Sequence, residues 1–204
     1  MNYLQFKNRF FDMGCFNIHQ VYAWQAEFDK SNITRWVRRQ WLVRLRNGYY
    51  SFPEYLNQPD FKYLISNRIY CPSYVSLHTA LAFYGMIPEA VIPVSAVSAL
   101  KKSRFESAFG TFTYQQIATG LMFGYDLKPF SGNQAILFAQ PEKALLDLLY
   151  LYPFYNTTQE MKELRLDENF MQHDFSMERF REYARRFQSK ALVQRIEMLL
   201  KIYT

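Results

Sequence analysis

Cysteine is nearly absent, with only Cys15 and Cys71 in 204 residues. Two thiols are too few for a disulfide framework, and neither flanks a histidine at metal-ligand spacing. Both therefore read as reduced, partly buried thiols, as expected of a cytoplasmic protein. The three histidines, His19, His78 and His173, are isolated. With no H-E-x-x-H pair and no Cys/His cluster, no metal is expected. Neither a G-x-x-x-x-G-K-S/T loop nor a G-x-G-x-x-G turn occurs, so no nucleotide cofactor is expected. There is no secretory signal, because Lys7, Arg9 and Asp12 interrupt the first apolar stretch. Residues 69–88 lack formal charge, but Pro72, Ser73, Ser76, His78, Thr79, Gly85 and Pro88 make them a poor bilayer span and favour a buried helix. Internal repeats and low-complexity segments are also missing.

Apolar material is abundant: half the residues are hydrophobic and 19% are aromatic, which excludes a disordered chain. The net charge of +6 is unevenly placed. Residues 1–53 hold eight basic and three acidic side chains, a net +5, and the remainder nets only +1. A cationic quarter attached to a near-neutral body suggests a polyanion reader with a separate second task.

Residues 29–52, DKSNITRWVRRQWLVRLRNGYYSF, organise that quarter. Asp29 or Ser31 can cap a helix by accepting a free backbone N–H. Ile33, Trp36 and Val37 fall at i, i+3 and i+4 and form an apolar face, leaving Thr34, Arg35, Arg38 and Arg39 opposite. Residues 41–46 alternate as a strand, Asn47-Gly48 suits a type I′ turn, and Tyr49, Tyr50 and Phe52 return as a second strand. Helices over 3–11 and 18–24 precede this stretch, so the layout expected is a winged helix-turn-helix. Arg35, Arg38 and Arg39 could enter a major groove, where an arginine fork matches paired acceptors of guanine. Thr34 and Asn32 could add a base or phosphate contact, and Lys30, Arg44 and Arg46 would hold backbone phosphates. The absence of an aromatic RNP-type strand or GXXG loop favours double-stranded DNA over RNA.

Residues 53–59 are proline-flanked and aperiodic, which places a boundary at 53/54. An α+β second unit is expected over 54–204: a mixed α/β domain with C-terminal helices. Its expected helices include one through Tyr63, Leu64 and Ile65 and one over 74–84 capped by Ser73. A strand over 91–99 precedes a hairpin turning at Phe109-Gly110. Strands near 121–127 and 134–138 flank the turn Ser131-Gly132-Asn133. Further helices follow over 141–152, 157–166, 177–187 and 190–203. Lys101, Lys102 and Arg104 form a basic loop that reads first as solvated and second as a further contact to DNA or to an acidic partner. Glu142, Lys143 and Asp147 share one helix, but Glu142 is too early to converge with Asp147. They read as a capping carboxylate and solvent-facing charges, so no catalytic residue and no enzyme is expected.

Four segments in order, NITRWVRRQWLVRLRNGYYSF, YCPSYVSLHTALAFYGMIPE, RFESAFGTFTY and AQPEKALLDLLYL, resemble the AbiEi-type antitoxins of type IV toxin–antitoxin systems. The similarity runs from about Phe16 to about Leu151. Family members carry a glycine before the wing, where this chain has Gln40-Trp41. The resemblance implies a bacterial autorepressor that binds inverted repeats upstream of its own operon; such repeats can be filled by a dimer or by two monomers meeting on DNA, and a monomer or weak dimer is expected. It further implies a noncatalytic second domain that counters a co-encoded nucleotidyltransferase-like toxin without a stable complex. The residues alone also leave open a regulator whose second domain senses a ligand or protein, or a nucleic-acid-processing enzyme using Glu142 and Asp147.

Overall fold

The computed structural model describes residues 2–131 and 134–203 of an α+β protein. The turn expected at Gly132-Asn133 lies outside the described residues. Side-chain caps set the first elements. Asn2 and Gln5 form a reciprocal capping box on α1 (Tyr3–Phe10), and Asn17 and Gln20 do the same for α2 (Ile18–Trp24). Between them lies β1 (Cys15–Asn17), a strand too short to show periodicity. Helix α3 (Ser31–Arg38) is followed by β2 (Val43–Arg46) and β3 (Tyr49–Ser51), and the three strands pair antiparallel in the order β1-β3-β2. The expected two-stranded hairpin is thus one edge of a three-stranded sheet.

Two details of this region differ from expectation. Strand β2 begins at Val43 and not at Trp41, because the end of α3 is closed by a Schellman pattern. The Trp41 N–H donates to the Trp36 carbonyl (2.9 Å) and the Gln40 N–H to the Val37 carbonyl (3.0 Å). This places Gln40 at φ +58°, a left-handed position that glycine adopts without strain. The hairpin turn is not type I′, since Gly48 has φ +79° whereas Asn47 is not in the left-handed region. A bulge supplies the twist instead: Arg44 pairs with Tyr50 and Arg46 with Tyr49, leaving Leu45 as the extra residue.

Buried apolar side chains form two clusters. The first is aromatic, with Phe6 near the rings of Phe10, Phe16, Phe28 and Trp36 at centroid separations of 4.7–5.8 Å. Ile33 and Trp36 seat α3 on it, as the i, i+3 spacing suggests. The second cluster fills the rest of the chain, yet it includes Cys15 and Leu45 from the N-terminal quarter. Where the two meet, Gly14 (φ +67°) lies so close to Phe61 that an added Cβ would fall 2.8 Å from its ring.

The second cluster surrounds a six-stranded sheet of order β6-β7-β5-β4-β9-β8. Its strands are β4 (Ser73–Val75), β5 (Val94–Ser98), β6 (Ser103–Ser107), β7 (Gly110–Gln116), β8 (Tyr125–Pro129) and β9 (Ala135–Ala139). Strand pairs β7/β5 and β4/β9 are parallel and the others antiparallel. The helices are α4 (Phe61–Ile69), α5 (Leu77–Phe83), α6 (Pro141–Leu151), α7 (Thr158–Glu163), α8 (Glu168–His173), α9 (Met177–Arg186) and α10 (Lys190–Tyr203). Helix α4 lies on one sheet face, where the Tyr114 hydroxyl donates to the Ser66 carbonyl (2.8 Å). Helix α6 lies on the other, reached by Tyr74.

Three expectations for this unit are corrected. Ser73 does not cap a helix: residues 73–75 form a fully buried strand, and α5 begins only at Leu77. An apolar run of this length suits a central strand as well as a helix. Strand β8 starts at Tyr125, because Thr119–Leu121 is a turn of 3₁₀ helix. The charges of α6 do not face solvent. Glu142, Lys143 and Asp147 are each at most 1% exposed.

Lys143 and Asp147 pair at i, i+4 inside the core. The Lys143 ammonium also donates to the Tyr74 hydroxyl (2.8 Å). Tyr74 and Ser76 each donate to Asp147 Oδ2 at 2.8 Å. Burial pushes the Asp147 carboxyl up and the Lys143 amine down, against their mutual attraction. Glu142 accepts the Ser176 N–H at the start of α9 (2.8 Å) and a longer contact from Arg179.

Two stability predictions follow from this geometry. Gln40→Gly should raise the free energy of unfolding by about 0.5–1 kcal/mol in a denaturant titration, with β-branched Gln40→Val lowering it. Lys143→Met should cost about 3–5 kcal/mol by leaving Asp147 unpaired in the core, and adding Asp147→Leu should recover most of the loss.

Candidate nucleic-acid interface

The seating of α3 determines which side chains it presents outward. Trp36 packs on Phe6 and Phe28, and Tyr3 lies against both Trp36 and Trp41 at 5.4 and 4.6 Å. The Tyr3 hydroxyl donates to the Trp41 carbonyl (2.8 Å), fixing the segment between α3 and β2. Thr34, Arg35, Arg38 and Arg39 are consequently exposed, while Asn32 is partly covered. Arg35 donates to Asn32 Oδ1 (3.2 Å), and the Arg39 guanidinium lies 5.1 Å from the Trp41 ring. Among the described residues, Lys30, Arg35, Arg38, Arg39 and Arg44 form no ion pair with a carboxylate. At the entry to α3, Asp29 accepts the Ser31 hydroxyl and backbone N–H, which hold its carboxyl below the usual range.

The structure separates the two hairpin arginines. Arg44 is exposed on β2. Arg46, beyond the bulge, turns to the second unit and donates to the Ile69 carbonyl (2.7 Å). Its guanidinium lies 4.9, 5.8 and 4.9 Å from the rings of Tyr49, Tyr70 and Phe105. These contacts fasten the hairpin to α4 and β6 and withdraw Arg46 from the outward-facing set. Lys101 and Lys102 are exposed before β6, but the Lys101 carbonyl accepts the Tyr70 hydroxyl (2.7 Å), so the loop is anchored. Arg104 is on β6 itself and pairs with Glu106 (2.8 Å).

A second concave region lies on the far unit, a groove of about 950 Å³ lined in part by residues of β5, β6 and β7. His78 and Tyr155 share a hydrogen bond there (3.2 Å), and Gln115 donates to the Tyr152 hydroxyl (3.0 Å). Burial holds the His78 imidazole below its usual range, outweighing the attraction of Glu89. The region is not visible in the sequence because its residues come from six separate segments, of which only the basic one at 102–104 stands out alone. The sequence reading also missed the Lys143–Asp147 pair, whose only signal was the i, i+4 spacing inside an apolar helix. Among the described residues no His, Cys, Asp or Glu cluster is suited to a metal, and no helix is long and apolar enough to cross a membrane.

The two arginine environments predict unequal effects in unfolding experiments. Arg46→Met should lower stability by about 1–2 kcal/mol through its lost hydrogen bond and ring contacts. Arg38→Ala, on an exposed face, should stay within about 0.5 kcal/mol of the parent. Comparison of the chain with protein-family models gives no match, and a search of curated proteins gives none.

Proposed function

We propose that the chain is a DNA-binding regulator whose first 53 residues act as a winged helix-turn-helix. In this reading α2 supports α3, α3 enters the major groove, and the β2–β3 hairpin is the wing. The observation that carries it is the exposed row of Arg35, Arg38 and Arg39 on α3, none of them in a salt bridge among the described residues, on a helix held firmly from behind. Cations left unneutralised on a rigid support keep their attraction for phosphate and base acceptors. Thr34 and Asn32 flank the reading face, and Lys30 and Arg44 are available for backbone phosphates. Arg46 has no part in it. Lys101 and Lys102 are exposed and can touch a neighbouring phosphate, whereas Arg104 is already paired.

The biological role proposed is the one the resemblance implies: a cytoplasmic autorepressor and antitoxin that counters a nucleotidyltransferase-like toxin without binding it stably. The second unit is noncatalytic in this reading. Glu142 and Asp147 give an enzymatic alternative no support, because both are sealed in the core with their oxygens occupied.

The deciding experiment is binding to the DNA upstream of the protein's own gene against a scrambled duplex, across a salt series. A preference for the upstream DNA that survives near-physiological salt is expected. Arg38→Ala and Arg39→Ala should each weaken it by about 1–3 kcal/mol if they read bases. Equal binding to both duplexes, lost steeply with salt, would reduce α3 to a merely basic surface. Unchanged affinity in the double variant would remove α3 as the reader.

A further inference from the structure

The groove on the second unit is lined by charges of both signs. Strands β5, β7 and β6 form its floor, where Ser95 and Thr113 are cross-strand partners and Arg104 pairs with Thr113 from the other side. Lys102 and Arg104 line the wall on the β6 side. A second wall joins the end of α7 to the segment between α5 and β5. Arg165 bridges to Glu89 (3.1 Å), and the Asp167 N–H donates to the Met86 carbonyl (2.9 Å). Glu163 and Glu89 line this wall. Among the described residues Lys102 and Glu163 form no ion pair, so each wall keeps one unneutralised charge.

Between the charges the lining mixes apolar and phenolic side chains with Ser95, Thr113, Gln115 and His78. Val91 and Leu164 contribute to it, and Ile92 stands 87% exposed at the rim. Tyr152 and Tyr155 are steadied by Gln115 and His78, so the groove is preorganised and does not depend on a ligand for its shape. Its volume falls in the range of small-molecule sites.

We infer that this groove binds a small zwitterion with an apolar side chain, a free amino acid or a short peptide. The ligand's carboxylate meets Lys102 and its ammonium meets Glu163. Its side chain covers Ile92 and Val91. A simple anion would gain Lys102 but place its charge towards Glu163 and Glu89, and a nucleotide would do so with a more highly charged phosphate. Only a ligand carrying both signs satisfies both walls. Apart from Lys102, which the DNA reading also offers to a neighbouring phosphate, this site uses none of the DNA-binding residues, and it does not rest on the DNA reading.

The test is titration calorimetry and thermal unfolding of the full chain, without DNA, against the standard amino acids and apolar di- and tripeptides at millimolar concentration. At least one is expected to bind and raise Tm. Its N-acetylated and C-amidated forms should each bind about tenfold more weakly or worse, as should Lys102→Gln and Glu163→Gln for the parent ligand. Both side chains exchanged are exposed, and Arg181→Gln on α9 serves as an exposed control whose affinity stays unchanged. The inference is overturned if no probe binds, if blocking either terminus is without effect, or if the two groove variants bind like the parent. Tighter binding of nucleoside monophosphates than of any amino acid or peptide would also overturn it.

Discussion

The contact of Arg46 with its three surrounding rings and the Ile69 carbonyl governs how the parts of this protein stand to one another. It is a charged group used as a clasp. The guanidinium is planar, weakly hydrated and able to lie on aromatic faces while donating at its edge, which a lysine ammonium does poorly. Leu45 reinforces it from the adjacent position by entering the core of the second unit. The hairpin therefore belongs structurally to both units. An N-terminal quarter this small has little apolar area of its own, and borrowing a neighbour's core offsets that shortage.

The second unit depends on a different kind of burial. Lys143, Asp147, Tyr74 and Ser76 form a closed polar cluster between the sheet and α6. A buried ion pair contributes little net stability when compared with apolar side chains of similar volume, because desolvation cancels much of the Coulomb attraction. Its stronger effect is positional. The cluster admits one alignment of α6 over β4, and Glu142 extends that alignment to α9 through the Ser176 N–H. Tyr152, which lines the groove, follows directly on the end of α6.

Much of the local structure could be read from the sequence. The apolar face of α3, its exposed arginines, the β6–β7 hairpin and the helix begun by Pro141 each rest on a short-range rule. What escaped reading was decided over long distances. Residues 73–75 became a central strand because β5 and β9 flank them, which nothing in the local apolar run discloses. The α6 charges became core residues because Tyr74 and Ser76, some seventy positions earlier, supply the hydrogen bonds that make their burial tolerable. Arg44 and Arg46 looked equivalent in a strand of period two, and one unpaired residue between them made them different. The groove was invisible for the same reason, since only the tertiary fold brings together His78, Gln115, Tyr155 and Glu163.

The bulge at Leu45 gives the hairpin something like a reading frame. A strand of regular pleat would send Arg44 and Arg46 to the same side, and the extra residue diverts one outward and the other inward. Deleting a single residue here would preserve a hairpin of ordinary appearance and still exchange the surface for the clasp. Length in this stretch is thus constrained as tightly as composition. Substitutions at the exposed position can vary what the protein touches, but insertions and deletions would dismantle the attachment that makes any such contact rigid.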